Sequence, residues 1–250
     1  VWIPGRYMAR DYARHVIEVR ATDASGQTLR VSRSGKSEWQ VLAGAGETTV
    51  SLCIYGWDLS VRGAHIDVSH AYFNGACLFP EVVGAAGPVG LSIRRPEGCP
   101  SAALVATSMR SADIDSAGFG DYVAEDYEEL IDHPVEIAVQ QHLRFDVDGI
   151  PHHFYLRGAP SFDVRRLAAD CARICAQHHT LLGKPNELDR YVFLAYALEQ
   201  GYGGLEHRWS SSLAISRGAL PQPDNRTNEK AYRTLLGLNS HEYFRHWNVG

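Results

Sequence analysis

The chain has 250 residues, of which 45% are apolar and 21% are charged, which is typical of a folded globular protein and excludes a disordered or collagen-like chain. Its formal charge is −5 and it has no basic stripe, so we expect no nucleic acid partner. The longest apolar run is Tyr191–Leu198, far short of the roughly 20 residues that span a membrane. We therefore expect no membrane partner.

The first 157 residues have the pattern of short strands. Apolar alternation and β-branched residues recur between turn sequences such as Asp23–Gly26 and Asp146–Gly149. This pattern predicts an N-terminal β-sandwich-like domain over residues 1–157, with one short helix at 124–131. The predicted strands are 15–20, 28–31, 48–55, 89–93, 135–139 and 153–156.

Helical periodicity begins after residue 158. Ser161 and Asp163 are candidate caps for a helix that runs to about Leu182, and Gly183 is placed to end it. The predicted fold class is α+β, with the β-domain followed by the first part of an α/β domain over residues 158–250. The later predicted elements are a buried strand at 190–199, a shorter strand at 213–215 after a glycine-rich turn, and a final helix at about 229–247.

The five cysteines form no CxxC pair and leave an odd one over. We expect Cys171 and Cys175 to be small buried hydrophobic residues, and unpaired thiols favour a cytoplasmic location. The chain begins at Val1 without a charged leader and stops directly after a helical pattern, so both ends look cut. We expect a fragment or a gene product that is shorter than its relatives.

The last predicted helix contains a sequence close to the zinc-peptidase motif HExxH. In that motif two histidines four residues apart bind zinc, and the glutamate activates the metal-bound water. Here His241 and Glu242 are in place, but Arg245 stands where the second histidine belongs. His246 is one residue late and lies about 140° from His241 around the helix, so it is the poorer substitute. The alternative is an ordinary helix with solvated charges.

A second candidate is the glycine-rich stretch that ends in Glu206. Gly203 and Gly204 allow a backbone to approach closely, and a carboxylate beside them would suit a substrate ammonium group. The simpler alternative is a glycine turn before a strand, with Glu206 at the surface.

Together these signals resemble the glycyl aminopeptidase family of zinc metallopeptidases, and the resemblance follows the family's order along almost the whole chain. The stretches that carry it are Trp2–Tyr7, Tyr12–Val16, Asp58–Arg62, Phe73–Gly75, Asp132–Glu136, Gly203–Arg208 and Ser240–Phe244.

The resemblance implies a thermolysin-like catalytic domain after the β-domain, normally followed by a PDZ-type domain. It also implies zinc as cofactor and peptides with small N-terminal residues, glycine or alanine, as substrates. By the same resemblance His241 is the first zinc ligand, Glu242 the general base and Glu206 the anchor of the substrate α-amine. Gly203 and Gly204 line the strand against which the peptide lies.

The departures from the family pattern fall on the chemistry. Arg245 replaces the second zinc histidine, and the sequence ends before the family's third ligand, whereas a catalytic zinc needs three protein ligands and a water. One hypothesis is an aminopeptidase-family chain with an incomplete zinc site that is inactive alone. The second is a non-catalytic relative that binds peptides or proteins through the β-domain and the Gly203–Gly204 edge. A third is that Arg245 and the early end share one cause, such as a frameshift.

A peptidase domain without its later helices leaves apolar helix faces uncovered. We therefore expect self-association through the helices at 163–182 and 229–247, since large apolar patches usually find a partner.

Overall fold

The computed structural model describes residues 10–159, 161–223 and 226–247. Within these ranges the chain forms sixteen β-strands and three α-helices. The strands are β1 (Val16–Asp23), β2 (Val31–Arg33), β3 (Trp39–Val41), β4 (Thr48–Ile54), β5 (Ala64–Ile66), β6 (His70–Phe73), β7 (Val89–Ile93), β8 (Leu104–Thr107), β9 (Arg110–Ile114), β10 (Gly120–Ala124), β11 (Val135–Ala138), β12 (Gln141–Val147), β13 (Ile150–Arg157), β14 (Tyr191–Leu198), β15 (Tyr202–Glu206) and β16 (Ser210–Ser216). The helices are α1 (Tyr127–Ile131), α2 (Val164–Leu182) and α3 (Glu229–Phe244).

Three sheets stack on one another. A four-stranded sheet, in the order β5-β6-β11-β8, lies between the three-stranded sheet β7-β10-β9 and the five-stranded sheet β12-β13-β14-β16-β15. Tyr122 and Ile137 pack in the first interface, and Tyr72 and Leu194 pack in the second. β11 is buried along its whole length, because both of its faces are covered. Two smaller sheets pair β1 with β4 and β2 with β3.

Helices α2 and α3 cover the other face of the five-stranded sheet, where they share one core with its strands. The Asp163 side chain accepts a hydrogen bond from the Arg166 amide at 3.0 Å, and Gly183 ends α2 with a φ of +91°, as the sequence predicts. Cys171 and Cys175 are fully buried in this core, also as predicted. All five cysteines are free thiols.

The structure confirms the predicted α+β class and the β-rich N-terminal part. The five-stranded sheet runs across the division predicted at residue 157, because β12 and β13 precede it and β13 pairs in parallel with β14. Alternation along a strand indicates which face is buried but does not identify the sheet that the strand joins. No helix among the described residues combines the length and the hydrophobicity needed to cross a bilayer.

Candidate functional site

Gly203 and Gly204 lie in β15, the edge strand of the five-stranded sheet. The prediction of a glycine turn at this point is therefore wrong: the stretch pairs antiparallel with β16 over its whole length. A Cβ on Gly203 would meet no atom within 4 Å, whereas a Cβ on Gly204 would overlap the side chain of Glu242. Gly204 thus lets α3 approach the strand closely, and Gly203 lies at an open point of the sheet edge.

Three charged side chains meet where β15 ends beneath α3. As whole residues, Glu206 and Glu242 are only 5% and 4% exposed. A guanidinium nitrogen of Arg245 lies 2.8 Å from Glu206 Oε1. Glu242 Oε2 is buried and has no hydrogen-bond partner among the described residues. The site is therefore a buried acidic pair. The Glu206 carboxylate is ion-paired, and one oxygen of the Glu242 carboxylate accepts no hydrogen bond from the described residues.

The Glu242 carboxyl holds its proton unusually tightly. Burial raises its pKa to about 7, and the neighbouring charge of Glu206 adds to the increase, against the opposing charges of Arg245 and Arg62. An acid with a pKa near neutrality exchanges its proton readily at physiological pH. Glu242 therefore has the property that a general base needs, in addition to its place beside the strand.

The two histidines of this segment, His241 and His246, have surroundings different from those of the acidic pair. His241 is exposed. His246 lies in the single 3-10 turn, Arg245–Trp247, that follows α3, and its Nδ1–H donates to the Arg208 carbonyl at 2.8 Å. The final α-helix is therefore shorter than predicted, since α3 ends at Phe244 and not near residue 247.

The described residues around Glu242 do not fit a zinc ion. The position of the second ligand holds Arg245, whose positive charge is directed at Glu206 and repels a metal cation. Within residues 10–159, 161–223 and 226–247, no group of three His, Cys, Asp or Glu side chains gathers at this point.

Comparison with known proteins places the chain in a family. Residues 1–139, more than half of the chain, match the family model described as the peptidase M61 N-terminal domain. The chain belongs to the peptidase M61 family. A solved structure of an aminopeptidase N family protein from Idiomarina loihiensis is 35% identical and superposes with a TM-score of 0.94. The match covers 99% of this M61 chain and 42% of that protein. None of the curated proteins matches.

The M61 chain contains a second group of site residues that motif reading alone did not identify. Buried His207, next to Glu206, directs Nδ1 at Asp132 Oδ1 over 3.0 Å, and Asn74 Nδ2 lies 3.3 Å from its Nε2. Asp132 Oδ2 also accepts from the Arg208 amide at 3.1 Å. These bonds join the four-stranded sheet region to the end of β15 and so fix the position of Glu206.

Three of the stretches that carry the family resemblance meet in this network. Phe73–Gly75 contributes Asn74, Asp132–Glu136 contributes Asp132, and Gly203–Arg208 contributes His207 and the Arg208 amide. Gly75 packs closely against the residue before Asp132, since a Cβ there would lie 2.8 Å from the Ile131 Cα. The presence of these three stretches in one sequence was the signal that could have identified the network, but it did not indicate that the stretches are in contact. The stretch Trp2–Tyr7 lies outside the described residues.

Tyr243, which follows Glu242 in α3, bonds to two buried histidines. Its hydroxyl lies 2.9 Å from His152 Nε2 and 2.9 Å from His179 Nε2. His152 donates through Nδ1 to the Ile150 carbonyl at 2.9 Å, so its Nε2 is free to accept the Tyr243 proton. His179 Nδ1 bonds to Asp148 at 2.8 Å. This buried network holds the segment that contains Glu242 against the sheet.

Proposed function

We propose that the chain binds peptides by their free N-terminus, using the amine-recognition part of an aminopeptidase site. The observation that supports this most is the buried acidic pair, Glu206 and Glu242, at the end of an open edge strand. An ammonium group forms its strongest hydrogen bonds to anionic acceptors, and Glu242 Oε2 has no hydrogen-bond partner among the described residues.

The peptide backbone adds to the free edge of β15. Gly203, which has open space where a side chain would be, lets a second strand approach. Extension of the peptide along β15 brings its first residue to Glu206. We propose glycine or alanine at that position, because the family resemblance implies this substrate class.

Arg245 distinguishes this chain from a working aminopeptidase. It satisfies the charge of Glu206 with an internal cation and takes the position that a metal ligand needs. We infer that this chain alone binds peptides without hydrolysing them, and that zinc is not part of the peptide site.

Equilibrium binding of the tripeptide Gly-Ala-Ala tests this function directly. At pH 7 we expect the free peptide to bind at least tenfold more tightly than its N-acetylated form. Glu206→Gln should abolish that difference, whereas Glu199→Gln, at an exposed position just before β15, should preserve it. Equal affinity for the two peptides, or an unaltered preference in Glu206→Gln, would contradict the proposal.

Catalysis is the second candidate, because the pKa of Glu242 suits a general base. This function predicts that the chain releases glycine from Gly-Ala-Ala and that Glu242→Gln abolishes the release. Arg245→His restores the HExxH pattern. If Arg245→His binds zinc, and if adding His241→Ala to that variant abolishes the binding, the result would favour catalysis as the function.

A further inference from the structure

The hairpin formed by β5 and β6 brings three metal-binding residue types together. His65 lies on β5, His70 begins β6, and Asp67 lies in the turn between them. Among the described residues, theirs is the group of His, Cys, Asp or Glu side chains whose ligand atoms all lie within 4.8 Å of one another. The group is on the four-stranded sheet, away from the α3 segment that carries Glu242.

The spacing of these atoms suits a single ion. His65 Nε2 lies 3.1 Å from Asp67 Oδ2, and His70 Nδ1 lies 3.2 Å from Asp67 Oδ1. Ligand atoms around a tetrahedral zinc, at bond lengths of about 2.0–2.2 Å, are separated by about 3.3–3.6 Å. The two Asp–His distances are therefore close to those of a coordination sphere, whereas the two imidazole nitrogens, which lie within 4.8 Å of each other, approach by up to about 1.5 Å when they share an ion.

The side chains are held in place before any ion arrives. Asp67 Oδ1 accepts from the Ser69 amide at 2.7 Å and from the His70 amide at 3.0 Å. The two imidazole rings stack 4.8 Å apart, and the ring of Trp57 covers His65 at 4.7 Å. Both histidines are buried, whereas Asp67 is partly exposed. An ion therefore has an entry at Asp67 and meets ligands whose rotamers are already fixed.

The cavity behind the two imidazole rings contains groups that can bond to their second nitrogens. His65 Nδ1 and His70 Nε2 are buried without a hydrogen-bond partner among the described residues. Both rings line a small cavity of about 20 Å³ between the four- and five-stranded sheets, whose wall includes Glu136 and Ser212. The second nitrogen of a metal-bound imidazole usually donates to a carboxylate or a water. This cavity provides the Glu136 carboxylate, which is also ion-paired with Arg157 at 2.9 Å, and room for about one water.

We propose that His65, Asp67 and His70 bind one zinc ion that fastens the β5–β6 hairpin. Two imidazoles and a carboxylate are a donor set that zinc prefers, and a water that enters beside the partly exposed Asp67 completes the tetrahedron. This site is independent of peptide binding at Glu206 and does not rest on that proposal.

Titration of the metal-free chain with Zn²⁺ against a chromophoric chelator tests the site. We expect one equivalent per chain. Asp67→Asn keeps an oxygen that accepts the Ser69 and His70 amide bonds but removes the charge, so it should weaken binding at least tenfold. The matched control is His142→Ala with His153→Ala, which removes another stacked histidine pair, with rings 5.1 Å apart, and should leave the affinity unchanged.

The proposal fails if zinc does not bind, if Asp67→Asn binds zinc as the parent does, or if binding is lost on His241→Ala instead. Circular dichroism checks that each variant folds. Where Asp67→Asn does not fold, the Co²⁺-loaded parent decides, since a tetrahedral visible spectrum that is lost in His65→Gln supports the site and its absence overturns it.

Discussion

Glu206 and Arg245 form an ion pair between the end of strand β15 and the turn that follows α3, with 2.8 Å between guanidinium nitrogen and carboxylate oxygen. Both side chains are largely buried, at 7% and 17% exposure. The residue that departs most clearly from the HExxH pattern is therefore bonded to the residue proposed to anchor a peptide amine. An internal cation and an external one then compete for the same carboxylate.

Gly204→Ala tests the close approach of α3 to β15. The new methyl group would overlap the Glu242 side chain, so we expect the free energy of unfolding to fall by about 1–3 kcal/mol, as is usual for overpacking. Gly203→Ala is the control and should change it by about 0.5 kcal/mol or less, because its Cβ meets open space. Urea denaturation measures both. Equal effects in the two variants would rule out the contact, and Glu242→Ala should relieve the strain of Gly204→Ala.

The pH dependence of stability tests the raised pKa of Glu242. Its folded-state pKa is about 7 against an ordinary 4.5, so the folded chain binds the proton more tightly than the unfolded chain. This contribution to stability is fully present below about pH 4.5 and is lost as the pH rises through 7.

Glu242→Gln should remove that loss. Relative to the parent, we expect the variant to gain stability between pH 5 and pH 8 in urea denaturation. Burial also raises the pKa of Glu136 to about 7, but that residue is present in both proteins and cancels in the difference. Parallel stability curves for parent and variant would show that Glu242 titrates in its ordinary range.

Tyr243→Phe tests the network that holds α3. It removes the hydroxyl bonded to His152 and His179 and leaves two buried nitrogens without that partner. We expect a loss of about 1–3 kcal/mol in the free energy of unfolding. Tyr202→Phe, at an exposed position of β15, should be neutral. A neutral Tyr243→Phe would mean that apolar packing alone positions Glu242.

The features that the sequence predicted best are those that depend on residues close together in the chain. The cap at Asp163 and the end at Gly183 are local, because each residue acts on the backbone within one turn. The pairing of Glu206 with Arg245, and of His207 with Asp132, depends on sheet register and helix placement. Arg245 was recognisable as a departure from the motif, but its partner could not be read from spacing.

Self-association remains a proposal from the uncovered helix faces. Leu181 is 77% exposed beside the groove between α2 and α3, and Phe244 is 38% exposed. We expect sedimentation velocity at micromolar concentration to show oligomers that Leu181→Ser weakens. Val83→Ser, at an exposed site of the β-rich part, should have no such effect. A monomer for the parent chain would contradict the proposal.

The affinity of Arg245→Gln for Gly-Ala-Ala at pH 7 tests the central claim most directly. If the Arg245 guanidinium and the peptide amine compete for Glu206, removal of the guanidinium should tighten binding of the free peptide severalfold and leave the N-acetylated peptide unchanged. The same variant with Glu206→Gln should lose the gain. Unchanged or weaker binding of the free peptide by Arg245→Gln would contradict the account.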